Sequence, residues 1–155
     1  MEIVLLVYGR THESWLKEGE SEYLTRVKRY NRLTYKVLPE VKNAKGAQAV
    51  MEEEGRHLEK FLNPTDVLIL LDENGRSFSS EKMAEALQKQ FNRSPKRLVF
   101  VIGGPYGFGP QAKGRADDKW SLSSLTFNHQ MVRTIFLEQL YRCFTILNNE
   151  PYHHQ

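Results

Sequence analysis

The feature that most narrows the fold is Val67-Leu68-Ile69-Leu70-Leu71-Asp72, an apolar run without alternation. A strand with one wet face alternates apolar and polar residues, whereas one covered by helices on both faces does not. Leu98 to Ile102 is a second such run. Two strands buried on both sides are therefore expected, the first of them central in its sheet.

Elsewhere the spacing is helical. Glu13 to Tyr30 carries Leu16, Tyr23, Leu24, Val27 and Tyr30 on one face, with Thr11 placed to cap it. Ala47 to Leu62 repeats the pattern with Val50, Met51, Leu58 and Phe61, and stops at Asn63-Pro64. After Glu73-Asn74-Gly75-Arg76 turns the chain, Ser79 or Ser80 opens a helix that runs to about Phe91, with Glu81 in its first turn. Further strands are expected at Ile3 to Tyr8 and Thr34 to Leu38, and a short helix at Gln111 to Ala116. A short strand is placed within Trp120 to Phe127, where the serines invite local backbone hydrogen bonds. Val132, Ile135, Phe136, Leu140, Cys143, Phe144 and Leu147 define a long helix from about His129 to Asn148, ahead of a polar tail. Strand and helix alternate without repeat or linker. The predicted fold is α/β, with residues 1–155 as one domain and a mostly parallel sheet carrying helices on both faces.

Composition sets the outer bounds. With 155 residues, 40% of them hydrophobic, the chain can bury its own core, and its net charge of +3 permits a polyanionic partner without requiring one. The single Cys143 offers neither a disulfide nor a thiolate metal site, which fits a reducing, cytoplasmic setting. Met1 to Tyr8 reads as a first strand, not a signal peptide, and no run approaches the roughly 20 apolar residues of a membrane span.

The second buried run ends in Gly103-Gly104-Pro105-Tyr106-Gly107-Phe108-Gly109-Pro110. This spacing matches neither the P-loop nor the dinucleotide fingerprint, and alone it reads as a turn. Combined with Leu71-Asp72 and with Leu122 to Phe127, it becomes one of three strand ends that converge on one sheet edge. Such a pocket, poor in charged side chains and rich in backbone groups, suits an adenine and an amino-acid-bearing sulfonium better than a triphosphate.

Five motifs carry a resemblance over nearly the whole chain: Ile102-Gly103-Gly104-Pro105-x-Gly107, Trp120-Ser121-Leu122-Ser123-x-Leu125-Thr126, His129-x-x-Val132-Arg133, Glu138-Gln139-Leu140-Tyr141-Arg142 and Pro151-Tyr152-His153. In these the sequence resembles the large-subunit ribosomal RNA methyltransferases of the SPOUT superfamily that act on N3 of a pseudouridine. The resemblance implies a C-terminal deep trefoil knot, S-adenosylmethionine as methyl donor, a homodimer with a shared active site, and 23S rRNA of the assembled ribosome as substrate, with no DNA partner.

Carried residue by residue, it places the donor against Leu71, Gly103, Gly104, Leu122, Ser123, Ser124, Leu125, Thr126 and Phe127. The N3 imide must lose its proton to attack the sulfonium methyl. Arg142 is the choice for stabilising that anion, with Glu138 to orient it and His129 to accept the proton or orient a base. Tyr152 and His153 join them from the tail, where His154 stands in place of the Arg or Lys often found there. The pair His153-His154 lacks a third ligand, so no metal is expected. Lys28, Arg29, Arg32, Lys42 and Lys45 are candidates for rRNA phosphates. Two other readings stay open: a noncatalytic RNA-binding protein on the same scaffold, and a methyltransferase for another RNA such as tRNA.

Overall fold

In the computed structural model, which describes residues 1–154, five strands and five helices alternate along the chain. They are β1 (Glu2–Tyr8), α1 (Ser14–Lys28), β2 (Leu33–Leu38), α2 (Gly46–Phe61), β3 (Val67–Ser77), α3 (Ser80–Asn92), β4 (Arg97–Ile102), α4 (Pro110–Arg115), β5 (Asp118–Ser121) and α5 (Met131–Leu147). The sheet order is β2-β1-β4-β3-β5 and every pairing is parallel. The expectation of a mostly parallel sheet is thus met by an all-parallel one. β4 takes the middle position and β3 lies one strand further out, so the first apolar run is internal but not central.

Alternate residues of the apolar strands feed two separate cores, which is why the runs do not alternate in polarity. Ile3, Leu5, Val7, Ile69, Leu98, Phe100 and Trp120 pack with α1, α3 and α5, through side chains such as Val27, Leu87, Phe136 and Leu140. Val4, Leu6, Leu68, Leu70, Val99 and Val101 pack on the other face with Leu58 of α2 and Ala112 of α4. Helices therefore switch faces at each crossover. The chain also reverses its direction across the sheet at each crossover, and the two reversals together give all four connections one hand, as strand twist demands.

The structure corrects three local expectations. The residues Glu73 to Arg76 do not turn the chain; they bulge within a β3 that runs on to Ser77, so that both Leu71 and Arg76 register with Trp120. Gly75 makes the bulge feasible, because a Cβ there would lie 2.6 Å from the backbone of Lys119. Asn-Gly is a turn signal in sequence, and here it serves a bulge instead. Thr11 does not cap α1, whose N-cap Glu13 makes no side-chain cap bond. It is buried, donating to Glu20 Oε1 at 2.8 Å and accepting from Arg133 at 3.1 Å. Only Trp120 and Ser121 of the Trp120 to Phe127 stretch are strand; the rest is loop, and α5 begins at Met131 rather than His129.

Candidate active site

The carboxyl ends of β3, β4 and β5 open into a cavity of ≈ 490 Å³, walled by the β3 bulge, the glycine loop and the segment from Leu122 to Val132. The size is in the range of sites for small organic ligands. Of the nine residues nominated for the donor, eight line it: Leu71, Gly103, Gly104, Leu122, Ser123, Leu125, Thr126 and Phe127. Ser124 does not. His129 lines it as well, and so do Asp72, Glu73 and Lys113, which makes the cavity more charged than the sequence suggests.

Local hydrogen bonds fix the walls. Ser121 donates to the Ser123 carbonyl at 2.9 Å, and Ser123 Oγ accepts from the Leu125 N–H at 3.0 Å, the local bonding expected of these serines. Thr126 donates to Glu73 at 3.0 Å, tying that loop to the β3 bulge. Leu125, exposed at 70%, remains a large apolar side chain in water on this wall.

Behind the glycine loop stands Glu54 of α2, which is 5% exposed. Its Oε1 accepts from the Gly104 N–H at 3.3 Å, and its own carbonyl accepts from the Tyr8 hydroxyl at 2.9 Å. The carboxylate occupies the space a side chain at position 104 would need, since a Cβ there would lie 1.9 Å from Glu54 Oε2. Burial pushes the Glu54 carboxyl up to about 7, and the Gly104 N–H only partly offsets it. Burial, with the nearby Arg133 guanidinium, holds His129 below the usual imidazole value, so the neutral, proton-accepting form prevails near neutral pH.

Arg133 anchors the start of α5. It is 1% exposed and donates to the carbonyls of Tyr8 and Gly9 at 2.8 and 2.9 Å, which pins the carboxyl end of β1 to α5 beside the cavity.

The other four nominated residues gather away from the cavity, where α5 meets the tail. Glu138 accepts from Arg142 Nε at 3.1 Å and from the Tyr152 hydroxyl at 2.9 Å. The Arg142 guanidinium lies 4.7 Å from the centroid of the Tyr152 ring, and that ring meets Tyr141 edge-on at 4.7 Å. His153 Nδ1 is 3.1 Å from Arg142 NH1 and its Nε2 is 2.8 Å from Glu81 Oε1. A guanidinium can only donate, so Nδ1 accepts and the ring proton sits on Nε2, facing Glu81. The Glu138 hydrogen bond raises the Arg142 pKa further. Burial, with hydrogen bonds to Tyr23 and Glu138, holds the Tyr152 phenol protonated. The tail beyond α5 is therefore packed into a polar cluster, not frayed. None of Glu138, Arg142, Tyr152 and His153 lines the cavity that holds His129. Among the described residues, no group of three or more His, Cys, Asp or Glu is placed to hold a metal ion.

The family model described as predicted SPOUT methyltransferase matches residues 1–153. The chain belongs to the SPOUT methyltransferase family. Within it, proteins named ribosomal RNA large subunit methyltransferase H are similar over their full length: that of Parabacteroides distasonis is 46% identical and that of Flavobacterium johnsoniae 48%, each over 157 residues covering 100% of both chains. Among solved structures, a probable methylase family protein from Haemophilus influenzae Rd KW20 shares the fold, with a TM-score of 0.53 at 11% identity over 95% of this chain and 66% of that one. The methyl donor of SPOUT methyltransferases is S-adenosylmethionine. The cavity fits it: Gly103 and Gly104 form part of one wall, and the Asp72 and Glu73 carboxylates suit a ligand bearing a sulfonium and an ammonium.

Residue-by-residue reading of the sequence missed Glu54 and Glu81. Glu54 left a signal, since it falls between Met51 and Leu58 on the apolar stripe of α2, where a carboxylate needs a reason to be. Glu81 left none beyond its place in the first turn of α3.

Proposed function

We propose that residues 1–155 form one SPOUT domain that transfers a methyl group from S-adenosylmethionine to N3 of a pseudouridine in 23S rRNA of the assembled ribosome. The full-length relatives named as large-subunit rRNA methyltransferases support the RNA class. The observation that carries the reading is the cavity built by the ends of β3, β4 and β5, because eight of the nine residues nominated for the donor meet there.

When bound, the donor supplies an electrophilic methyl on sulfur. The protein must hold the imide nitrogen of the base in line and favour its anion. Arg142 is suited to this, as a permanent cation held by Glu138 and stacked on Tyr152. His129, kept neutral in the cavity wall, accepts the proton. Arg142, Tyr152 and His153 stand apart from the cavity of their own chain, so the reading requires a homodimer in which the tail cluster of one copy completes the cavity of the other. The trefoil knot of the family belongs to the same reading, formed where the loops flanking the cavity cross.

The test is methyl transfer from labelled donor to ribosomes that lack the modification, with the modified nucleotide mapped by mass spectrometry. Label at N3 of a single large-subunit pseudouridine is expected. Label in tRNA would move the substrate, and RNA binding without donor affinity in calorimetry would make the chain a noncatalytic binding protein.

A further inference from the structure

A second cleft, of ≈ 1010 Å³, runs between the edge strand β2 and α2 and reaches the carboxyl end of β1. Arg10, His12, Lys36, Lys42 and Lys60 line it, and among the described residues Glu40 is its one carboxylate besides backbone groups and apolar walls. Elsewhere on the surface some cations are ion-paired locally, Arg26 by Glu22, Arg56 by Glu53, Arg76 by Asp118 and Lys82 by Glu85, while Lys28, Arg29 and Arg32 share with the cleft cations the lack of an ion pair among the described residues. Arg10, Lys36, Lys42 and Lys60 take part in no ion pair of this kind, although they come from four different segments of the chain. Four cations around one concave surface, against the single Glu40 carboxylate, leave a net positive potential focused there, which is the footprint of a polyanion.

The cleft is coupled to the donor cavity through backbone. Gln130, 7% exposed, donates to the Arg10 carbonyl at 3.0 Å and accepts from the His12 N–H at 2.8 Å, while its neighbour His129 lines the cavity. Fields from Glu40 and His12 reach His129. By contrast Lys28, the last residue of α1, and Arg29 and Arg32, which connect α1 to the amino end of β2, do not line the cleft.

We infer that the β2–α2 cleft is the groove that holds the sugar-phosphate backbone of the RNA substrate and leads it toward the donor cavity. The inference rests on the methyltransferase reading for the identity of the RNA. Lys36, Lys42 and Lys60 contact phosphates, and Arg10 stands where the strand passes to the cavity.

The test compares two charge-reversed triples in the full-length chain, Lys36→Glu/Lys42→Glu/Lys60→Glu and Lys28→Glu/Arg29→Glu/Arg32→Glu, using unmodified ribosomes and labelled S-adenosylmethionine. The cleft triple is expected to raise KM for ribosomes at least about tenfold with kcat held within about twofold, and to lower the salt dependence of ribosome binding by about 2 in log-log slope. Its donor affinity is expected to match wild type, and the second triple to stay within about twofold of wild type throughout. Lys42→Ala/Lys60→Ala, on a loop and an exposed helix face, is read for the same direction should the triple fail to fold. Equal losses from both triples, or unchanged KM and salt slope in the cleft variants, would overturn the inference. If wild type transfers no methyl group, binding and its salt slope still decide the cleft, while the methyltransferase reading fails separately.

Discussion

A carboxylate that is 5% exposed and receives one backbone N–H loses more hydration than it regains, and Glu54 is held up to about 7 for that reason. Its native value lies above its unfolded value of 4.5, so the native state binds the proton more tightly. The stabilisation this proton brings is complete below the unfolded value and is lost as pH rises through about 7. Wild type should therefore lose about 3 kcal/mol between pH 4.5 and pH 8 relative to Glu54→Gln. Urea titrations of both proteins at the two pH values check this; parallel curves would contradict it. Gly104→Ala places a methyl group 1.9 Å from the same carboxylate, so the loop must shift. Calorimetry should show donor affinity reduced at least about tenfold, while Glu54→Gln, which keeps the volume and the acceptor, retains binding. Glu54 was legible as an anomaly of the α2 stripe. Its partner was not, because no local pattern tells which loop will lie against a helix.

At the scale of elements, β3 shows where sequence signals mislead and why. Asn74-Gly75 has the chemistry of a turn, but parallel pairing with β5 on both sides of the bulge extends the strand to Ser77. Gly75→Ala would drive a Cβ into the Lys119 backbone at 2.6 Å and should cost about 1–3 kcal/mol, read as a lower urea midpoint. The other elements were legible within a few residues, because apolar runs and helical stripes are local. Strand order was not, since it depends on which crossover returns to which edge. The tail is a third case: Pro151 to His154 has no periodicity, and only its motif marked it, yet the structure packs Tyr152 and His153 on α5 and α3. Truncation after Asn149 should leave donor affinity within about twofold of wild type and reduce methyl transfer at least about 100-fold, since it removes Tyr152 and His153, the tail groups proposed to act on the base, and none that line the cavity.

The whole molecule separates two functions that a transferase must join. One end of the sheet holds the proposed donor cavity with His129; α5 and the tail hold Arg142, Tyr152 and His153; and a shared core of Phe100, Trp120 and Phe136 fixes the two regions relative to each other within one chain. A rigid core of this kind cannot fold the cluster over its own cavity, so the proposed reaction requires a second copy to bring it. Complementation measures that requirement directly. Gly104→Ala disables the cavity and Arg142→Ala the cluster, and each homodimer should transfer methyl groups at no more than about 1% of the wild-type rate. Coexpressed, the two chains form heterodimers in which one site combines an intact cavity with an intact Arg142. With random pairing about a quarter of wild-type sites are restored, and methyl transfer to ribosomes should recover to about that fraction. Recovery to that level is the predicted result; no recovery in a purified heterodimer would contradict the shared active site.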